Sequence, residues 1–303
     1  MFQVLLTGLA TGAIYGLIAM AYAVVFYVTR VINFATGQLF MACIMITMAV
    51  SNAGFSIWWA ILAGLATSSV GGVVVYFIAV RPVLRFDRFS FAWLVSTLGV
   101  GIILESLAAL KWGTSSLPFP NLLNGRDVSI FNAKLTWQQI ITIVVGIAVV
   151  GLFELLRTKT LFGKIGMAIS SDPDIASSMG ANVTRYTIFA FALGGLLAGI
   201  AGVLVGPFSF ASPYLGESFG ISGFVALMIG GIERPAASMG GGLILGVLTV
   251  LANTYINSQA SDWFPFIVVV VVLIISPNGV FMAGSSIKNM MRWATRARTK
   301  VAP

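Results

Sequence analysis

The chain has 303 residues, of which 58% are hydrophobic and 9% are charged, with a net charge of +8 and no histidine. A mean hydropathy of +1.00 is typical of an integral membrane protein and excludes an ordinary soluble domain. The lack of histidine excludes Ser-His or Cys-His catalytic pairs and His-containing metal sites, and the single Cys43 allows no disulfide, so we expect no enzyme activity.

Charge-free runs long enough to cross a bilayer make up most of the chain. A spanning helix needs roughly 18 or more apolar residues, and the runs that reach this length are 1–29, 31–80, 135–153, 186–216, 235–261 and 263–287. The second run is long enough for two helices, joined at the turn Ser51-Asn52-Ala53-Gly54. We therefore predict an all-α fold, a polytopic transmembrane helix bundle of about eight or nine spans that forms one domain over residues 1–303.

The predicted spans are, in chain order, 2–29, two helices within 31–80, then 89–112, 138–156, 186–207, 218–232, 238–257 and 263–282. The span 218–232 is short and could be a broken or re-entrant segment, which leaves the count at eight or nine. Small residues recur at the helical spacing that permits close packing in lipid, at Gly8/Gly12/Gly16 and at Gly195/Gly199.

The cations indicate which ends of the spans face the cytoplasm. With nine spans and the N-terminus outside, all but Lys111, Arg126 and Lys134 of the 17 Lys and Arg residues lie on the inner side. The inner side then includes Arg30, a loop over 157–185 and a basic tail over 283–303. Because these cations flank spans and do not alternate with aromatic residues, they indicate membrane orientation and no nucleic-acid partner.

The loop 157–185 is the longest segment that looks both soluble and structured. Asp172 is suited to cap a helix, Pro173 suits the first helical position, and Gly180 suits a left-handed turn that ends the helix. These signals predict a helix of about two turns.

One face of this short helix is apolar. Ile175, Ala176 and Met179 share it by their spacing, whereas Asp174, Ser177 and Ser178 lie away from it. The face could dock on another protein or pack on the chain's own bundle, and composition alone leaves both open.

Several stretches resemble the LivH-type permeases of bacterial ABC importers for branched-chain amino acids and related hydrophobic amino acids or amides. They are RVINFATGQ at Arg30–Gln38, STLGVGIILESLAALKWG at Ser96–Gly113, the central Gly163-Lys164 with Asp172 to Gly180, FALGGLLAGIAGVLVGP at Phe191–Pro207, and SPNGVF at Ser276–Phe281. In order and spacing they cover most of the chain, so together they are quite specific.

The resemblance implies that the central helix is a coupling helix seated in a cleft of a separate ATP-binding cassette subunit. Its residues would be Asp172, Asp174, Ile175, Ala176, Met179 and Gly180. The sequence has no Gly-x-x-x-x-Gly-Lys-Ser/Thr phosphate loop, so ATP would be used by partner subunits and this chain would bind no cofactor and no metal. The further partners implied are a second permease subunit, LivM-like or a self copy, a periplasmic substrate-binding protein and membrane lipid, in the bacterial inner membrane.

Three stretches depart from the usual pattern of the family. Thr36 stands where His is usual, and Ser171-Asp172-Pro173-Asp174 replaces a glutamate-rich opening of the coupling helix. The loop after the seventh span runs from Gly230 into Glu233-Arg234-Pro235 in place of Gly-Gly-x-Gly-Ser. The fold and the partner class should survive these changes, whereas the substrate is less constrained.

The polar residues Asn33, Thr36 and Gln38 lie together at the start of the second span. A polar side chain at membrane depth needs a partner, water or a passing ligand. These three are therefore candidates for the substrate pathway, with hydrogen bonding between helices as the alternative. Gly37 could permit a local break that exposes backbone groups to a cavity.

Glu105 is the only acid well inside a predicted span. A carboxylate at this depth is a functional candidate, because burial is costly unless the group is paired, protonated or wetted. It could meet the ammonium group of an amino acid, or it could pair within the bundle. By contrast, Glu233 and Arg234 fit a solvated turn, and the outer stretch 207–217, with Tyr214 and Glu217, could contact a binding protein.

Three other functions remain as alternatives. An ion-coupled secondary carrier would be expected to have several intramembrane acids and paired broken helices, and the sequence has one good acid and no clear repeat. A permease of the related sugar or nucleoside importers would share the motor and differ in its ligand. A structural membrane protein would show no transport at all.

Overall fold

The computed structural model describes residues 1–86, 91–120, 127–130, 133–232 and 235–275. Within these ranges the chain forms helices and one short β-hairpin. The helices are α1 (Phe2–Thr29), α2 (Thr36–Asn52), α3 (Ile57–Val75), α4 (Arg81–Phe86), α5 (Ala92–Trp112), α6 (Trp137–Lys159), α7 (Leu161–Ser171), α8 (Pro173–Ser178), α9 (Val183–Val205), α10 (Leu215–Gly230), α11 (Pro235–Tyr255) and α12 (Ala260–Ile275). A π-helical turn, Tyr76–Val80, joins α3 to α4.

The predicted all-α transmembrane bundle is confirmed. Among the described residues, six helical segments are long and apolar enough to cross a membrane, namely Gln3–Thr29, Ile57–Arg85, Ala92–Trp112, Trp137–Lys159, Val183–Val205 and Pro235–Tyr255. Three shorter apolar helices, Thr36–Asn52, Leu215–Gly230 and Trp263–Val272, correspond to the remaining predicted spans. The span predicted over 218–232 is therefore a helix, and it begins three residues earlier, at Leu215.

The interpretation of 157–185 as a loop with a single short helix is wrong. The transmembrane helix α6 continues to Lys159, and α7 occupies most of the region before the predicted helix. Thr160 starts α7, because its hydroxyl accepts a hydrogen bond from the Gly163 N–H at 3.1 Å. The segment is thus a chain of helices with short breaks. The basic tail 283–303, Arg88, Glu233, Arg234 and the motif Ser276–Phe281 lie outside the described residues.

The helix α1 is the centre of the bundle and packs antiparallel against α11. A Cβ atom placed on Gly12 would lie 2.7 Å from the Cα of Leu243 and 2.8 Å from the carbonyl oxygen of Gly242. Gly8 meets Val247 and Gly16 meets Met239 in the same way. The backbones approach too closely for any side chain, as the Gly8/Gly12/Gly16 spacing predicted.

The helices α2, α3 and α9 meet at a second close contact. The hydroxyl of Ser68 is buried and lies 3.1 Å from the Leu39 carbonyl oxygen and 2.5 Å from that of Gly195. A Cβ on Gly195 would strike the Ser68 backbone, and one on Gly199 would lie 3.0 Å from the Ser68 Cβ. The predicted role of these two glycines in helix packing is confirmed.

At the predicted outer end of the bundle, the connection after α5 pairs through extended backbone with the connection between α9 and α10. Leu117 and Ala211 exchange two backbone hydrogen bonds, with N···O distances of 2.8 and 2.7 Å. Strands β1 (Asp127–Ile130) and β2 (Ala133–Thr136) pair antiparallel and lead directly into α6. The two bonds between Leu117 and Ala211 fix the segment after α5 to the segment between α9 and α10.

Replacing Gly12 with valine should destabilise the bundle, because the added side chain has no space between α1 and α11. Overpacking of this kind typically costs about 1–3 kcal/mol. The matched control is Gly99→Val on α5, where an added Cβ meets no heavy atom within 4 Å. We expect the thermal unfolding midpoint in detergent to fall for Gly12→Val and to stay near wild type for Gly99→Val. Equal midpoints for the two variants would contradict the close approach of α1 and α11.

Candidate functional site: an unwound segment, an outer cleft and a surface helix

The six residues between α1 and α2 are not helical, and the last five of them, residues 31–35, lie inside the bundle. Arg30 ends α1 in the left-handed conformation, with φ of 57°. The side chains of Val31, Asn33 and Ala35 beyond it are buried. Irregular backbone at membrane depth is tolerated where it is buried in protein or lines a cavity. This segment, residues 31–35, is therefore a candidate part of the substrate pathway.

Aromatic contacts show how far the segment 31–35 re-enters the bundle. The ring of Phe34 lies 6.4 Å from that of Tyr22 and 5.3 Å from that of Phe224, measured between centroids. Tyr22 precedes the end of α1 by seven residues, which is about 10 Å along the helix axis. The chain therefore turns back into the bundle after Arg30 before α2 begins.

Asn33 and Thr36 hold the turn that starts α2. The Asn33 side-chain oxygen accepts a hydrogen bond from the Ala35 N–H at 3.2 Å. The Asn33 carbonyl oxygen accepts from the Thr36 hydroxyl at 2.6 Å and from the Thr36 N–H at 3.0 Å. Both side chains are buried, so these local bonds satisfy polar groups that would otherwise be costly at this depth. Their predicted contact with substrate stays a prediction.

Glycines bring α2 against α10 at the same level. A Cβ on Gly216 would lie 2.9 Å from the Gly37 carbonyl oxygen, and one on Gly220 would lie 3.1 Å from the Gly37 Cα. The hydroxyl of Tyr22 donates to the Gly220 carbonyl oxygen at 3.3 Å. Gly37 thus serves a close helix crossing. The local break predicted at Gly37 is wrong, because Gly37 lies inside α2 and the unwound residues end before Thr36.

The face of α5 that carries Glu105 lies next to the segment 31–35. The Phe34 N–H donates to the Thr97 hydroxyl at 3.4 Å. One turn further, a Cβ on Gly101 would lie 3.2 Å from the Gln38 side-chain oxygen. Glu105 follows Gly101 by four residues, on the same face, and is partly buried. Gln38 therefore lies against the face of α5 that carries Glu105, and Asn33 and Thr36 form the turn just before it.

A cleft of about 300 Å³ opens between α10 and α12, and the sequence did not predict it. Its lining combines one carboxylate, hydroxyl groups and apolar side chains, from Tyr214, Glu217, Ser218, Ile221, Ser222, Pro265 and Phe266. Tyr214 and Glu217 were predicted to be exposed, and they are. The missing signal is the packing of α12, since the two helices lie about 40 residues apart in sequence. Within the described residues, no group of three acidic or Cys side chains could hold a metal ion.

The surface helix α8 is stabilised at both ends by the residues that predicted it. The Asp172 carboxylate accepts from the N–H groups of Asp174 and Ile175 at 2.9 and 3.0 Å. Gly180 adopts φ of 92°, and the Ala181 N–H donates to the Ala176 carbonyl oxygen at 3.0 Å. These bonds form a Schellman motif, which closes the C-terminal end.

The apolar residues of α8 point in two directions. Ile175 and Met179 are 57% and 83% exposed, whereas Ala176 is 3% exposed. The prediction that all three share one docking face is therefore wrong for Ala176, which packs toward α7 and α9. An exposed Ile and Met four residues apart form a small apolar surface on a helix outside the bundle.

Arg30 connects the surface helices with the segment 31–35, a contact that the sequence gave no signal for. Its guanidinium Nη2 donates to the Ser170 carbonyl oxygen at 3.1 Å, at the C-terminal end of α7. A cation at a helix C-terminus is favourable because the carbonyl groups there carry partial negative charge. Ser170 lies two residues before the cap of α8, and Arg30 is the residue that starts the unwound segment.

Comparison with known proteins gives a consistent family. A family model described as "Branched-chain amino acid transport system / permease component" matches residues 4–276. The chain is 31% identical to the high-affinity branched-chain amino acid transport system permease protein LivH of Escherichia coli, over 92% of this chain and 94% of that protein. It is 29% identical to BraD of Pseudomonas aeruginosa, with the same coverage. The fructose import permease protein FrcC of Rhizobium meliloti is 34% identical over 41% of this chain and 33% of its own.

Replacing Asp172 with alanine should loosen α8, because two N–H groups lose their acceptor. Loss of an N-cap costs about 1 kcal/mol, which corresponds to roughly fivefold faster amide hydrogen exchange over residues 174–181. Asp172→Asn keeps an acceptor oxygen and is expected to exchange nearly as slowly as wild type. If both variants exchange alike, the cap does not hold this helix.

Proposed function

Because the chain belongs to the family of branched-chain amino acid transport permeases, we propose that it is the membrane subunit of an ATP-driven importer in the bacterial inner membrane. Its substrates would be branched-chain or other hydrophobic amino acids, or related small amides. The observation that carries the proposal is the family match across residues 4–276, joined to helices that suit a multi-pass membrane protein. The resemblance drawn from the sequence motifs is confirmed.

The energy source would be ATP hydrolysed by partner subunits, with no cofactor held by this chain. The sequence lacks a phosphate loop, and relatives such as LivH are permease components of transport systems. The surface of Ile175 and Met179 on α8 is the proposed contact with an ATP-binding cassette subunit. Asp172, Asp174 and Gly180 would hold the shape of α8, and buried Ala176 would fix it to α7 and α9.

A movement of α8 would be transmitted to the substrate pathway through α7 and Arg30. The helix α7 ends next to α8, and the Ser170 carbonyl at that end bonds to Arg30. Arg30 directly precedes the segment 31–35, which contacts α1, α5 and α10. Closure of the ATP-binding subunits would shift α7 and α8, and the segment would follow, alternating access between the two sides.

The outer cleft between α10 and α12 suits an amino acid with an apolar side chain. Glu217 offers a carboxylate for the substrate ammonium group, and Ile221 and Phe266 offer apolar contact. A site with a few placed polar groups in an apolar lining is typical for small ligands. Substrate would arrive here from a periplasmic binding protein and pass inward along Glu105, Gln38, Thr36 and Asn33. A second permease chain, LivM-like or a self copy, would complete the pathway.

Two alternatives are less well supported. The sugar permeases match only part of the chain, whereas the amino acid permeases match nearly all of it. An ion-coupled carrier would not need the exposed apolar surface on α8, which has no role in such a mechanism.

Replacing Ile175 or Met179 with aspartate should release the ATP-binding subunit, because a charge would enter an apolar contact. The tagged chain is purified gently from its native membrane, and the proteins that accompany it are identified by mass spectrometry. We expect an ATP-binding protein with wild type, much less with either variant, and uptake of branched-chain amino acids reduced at least tenfold.

The control variant is Ser177→Asp, which adds the same charge to α8 on the side opposite Ile175 and Met179. It should retain the ATP-binding protein. The proposal fails if the wild-type chain purifies alone and transports in liposomes under an ion gradient.

Replacing Arg30 with glutamine should weaken coupling without releasing the ATP-binding subunit, because Arg30 lies away from the exposed face of α8. We expect more ATP hydrolysed for each substrate moved, because the Ser170 carbonyl loses its donor and α7 is no longer tied to Arg30. Arg30→Lys keeps the cation at the end of α7 and should be intermediate. An unchanged ratio in the glutamine variant would exclude this path.

A further inference from the structure

An apolar cleft of about 470 Å³ opens at the cation-rich end of the bundle. Its walls are the C-terminal halves of α1 and α6, the start of α7 and α9 from Tyr186 to Ile200. The lining is almost entirely hydrocarbon, represented by Phe153, Phe189 and Leu196. This cleft lies apart from the contact between α2 and α5 and from the outer cleft, so the transport mechanism leaves it without a role.

The edge of the cleft carries charged and polar side chains, in contrast to its hydrocarbon walls. Arg157 lies there, and its Nε donates to Glu154 Oε2 at 2.9 Å, so its charge is already balanced. The exposed cation Lys159 directly precedes Thr160, which also lines the cleft. Lys164 lies on the face of α7 opposite Phe162 and Gly166, which line the cleft. No acid lies between positions 155 and 171 of the sequence. The edge therefore presents unbalanced positive charge next to a hydrocarbon wall.

Helix α7 has the character of a helix that lies at a membrane surface. It exposes Leu161, Phe162 and Ile165 together with Lys164. Apolar residues on one side of a helix and cations on the other suit the boundary between headgroups and acyl chains. The ring of Phe162 stacks on Tyr186 with centroids 4.4 Å apart, which fixes α7 to α9 at the edge of the cleft.

We propose that this cleft binds one anionic phospholipid. An acyl chain occupies the space between α6 and α9, and the phosphate lies at Lys159, at the edge of the cleft that Thr160 lines. Apolar cavities do not hold water and take apolar ligands, and basic pockets between helices on the cytoplasmic side attract anionic headgroups. A bound lipid would fill the gap between α6 and α9 and support α7, which carries α8.

The test uses the purified full-length chain, stripped of lipid and reloaded with phosphatidylglycerol or with phosphatidylcholine of the same acyl chains. Native mass spectrometry counts the lipids retained. We expect wild type to keep one phosphatidylglycerol and to bind it at least tenfold more tightly than phosphatidylcholine. Equal retention of the two lipids, or no retained lipid, would overturn the proposal.

Two glycines give a matched pair for the acyl-chain half of the site. Gly166 lines the cleft and an added Cβ there meets no heavy atom within 4 Å, so Gly166→Leu fills the cleft without strain. Gly151 on α6 is equally open and does not line the cleft. Gly166→Leu should lose both lipids and Gly151→Leu should keep them. Wild-type retention by Gly166→Leu would overturn the site.

The headgroup half is tested by neutralising Lys159, with Lys164 on the opposite face of α7 as the control. Lys159→Gln should lower the affinity for phosphatidylglycerol about fivefold and leave phosphatidylcholine unchanged, and Lys164→Gln should change neither. If Lys159→Gln weakens both lipids equally, Lys159 does not bind the phosphate. If Gly166→Leu instead dissociates a dimer and leaves lipid retention unchanged, the cleft is an interface between copies of the chain, and the lipid proposal is wrong.

Discussion

The close approach of α1 and α11 is the constraint on which the rest of the bundle depends. Helices in lipid gain no hydrophobic energy by meeting one another, so their association depends on packing and on hydrogen bonds. Glycine at positions 8, 12 and 16 lets the two backbones touch. Because α1 also packs against α6, α9 and α10, its position determines theirs. The helices α5 and α6 lie at the periphery of the bundle and are mostly exposed. Their surfaces are therefore free for lipid or a second permease chain.

The unwound segment 31–35 is possible only because this central packing encloses it. Asn33 and Thr36 bond within the turn, and the Phe34 N–H bonds to Thr97 of α5. Arg30 connects the segment to α7, and α7 is continuous with α8 apart from the single residue Asp172. The exposed apolar surface on α8 and a buried, unwound segment thus lie at two ends of one short path. This arrangement suits a subunit that is moved by a partner and has no energy source of its own.

Two kinds of surface remain uncovered at the cation-rich end. The Ile175 and Met179 surface lies on a short helix outside the bundle, where an aqueous protein partner can reach it. The cleft between α6 and α9 lies within the bundle's side, where hydrocarbon chains can reach it. The helix α7 separates the two and contacts both. Protein and lipid would therefore act on the same helix from opposite sides, which links the membrane composition to the coupling path.

Local chemistry along the chain was enough to predict the all-α membrane fold, the positions of the spans and both ends of α8. The signals were the hydropathy of each span, an Asp-Pro start, and a glycine at positive φ. The motifs also indicated the permease family. Three features became visible only in the folded bundle: Ala176 turns inward, Arg30 reaches Ser170, and α10 and α12 enclose a cleft with Glu217. Each of these depends on contacts between residues far apart in the chain, for which helical spacing along one segment carries no information.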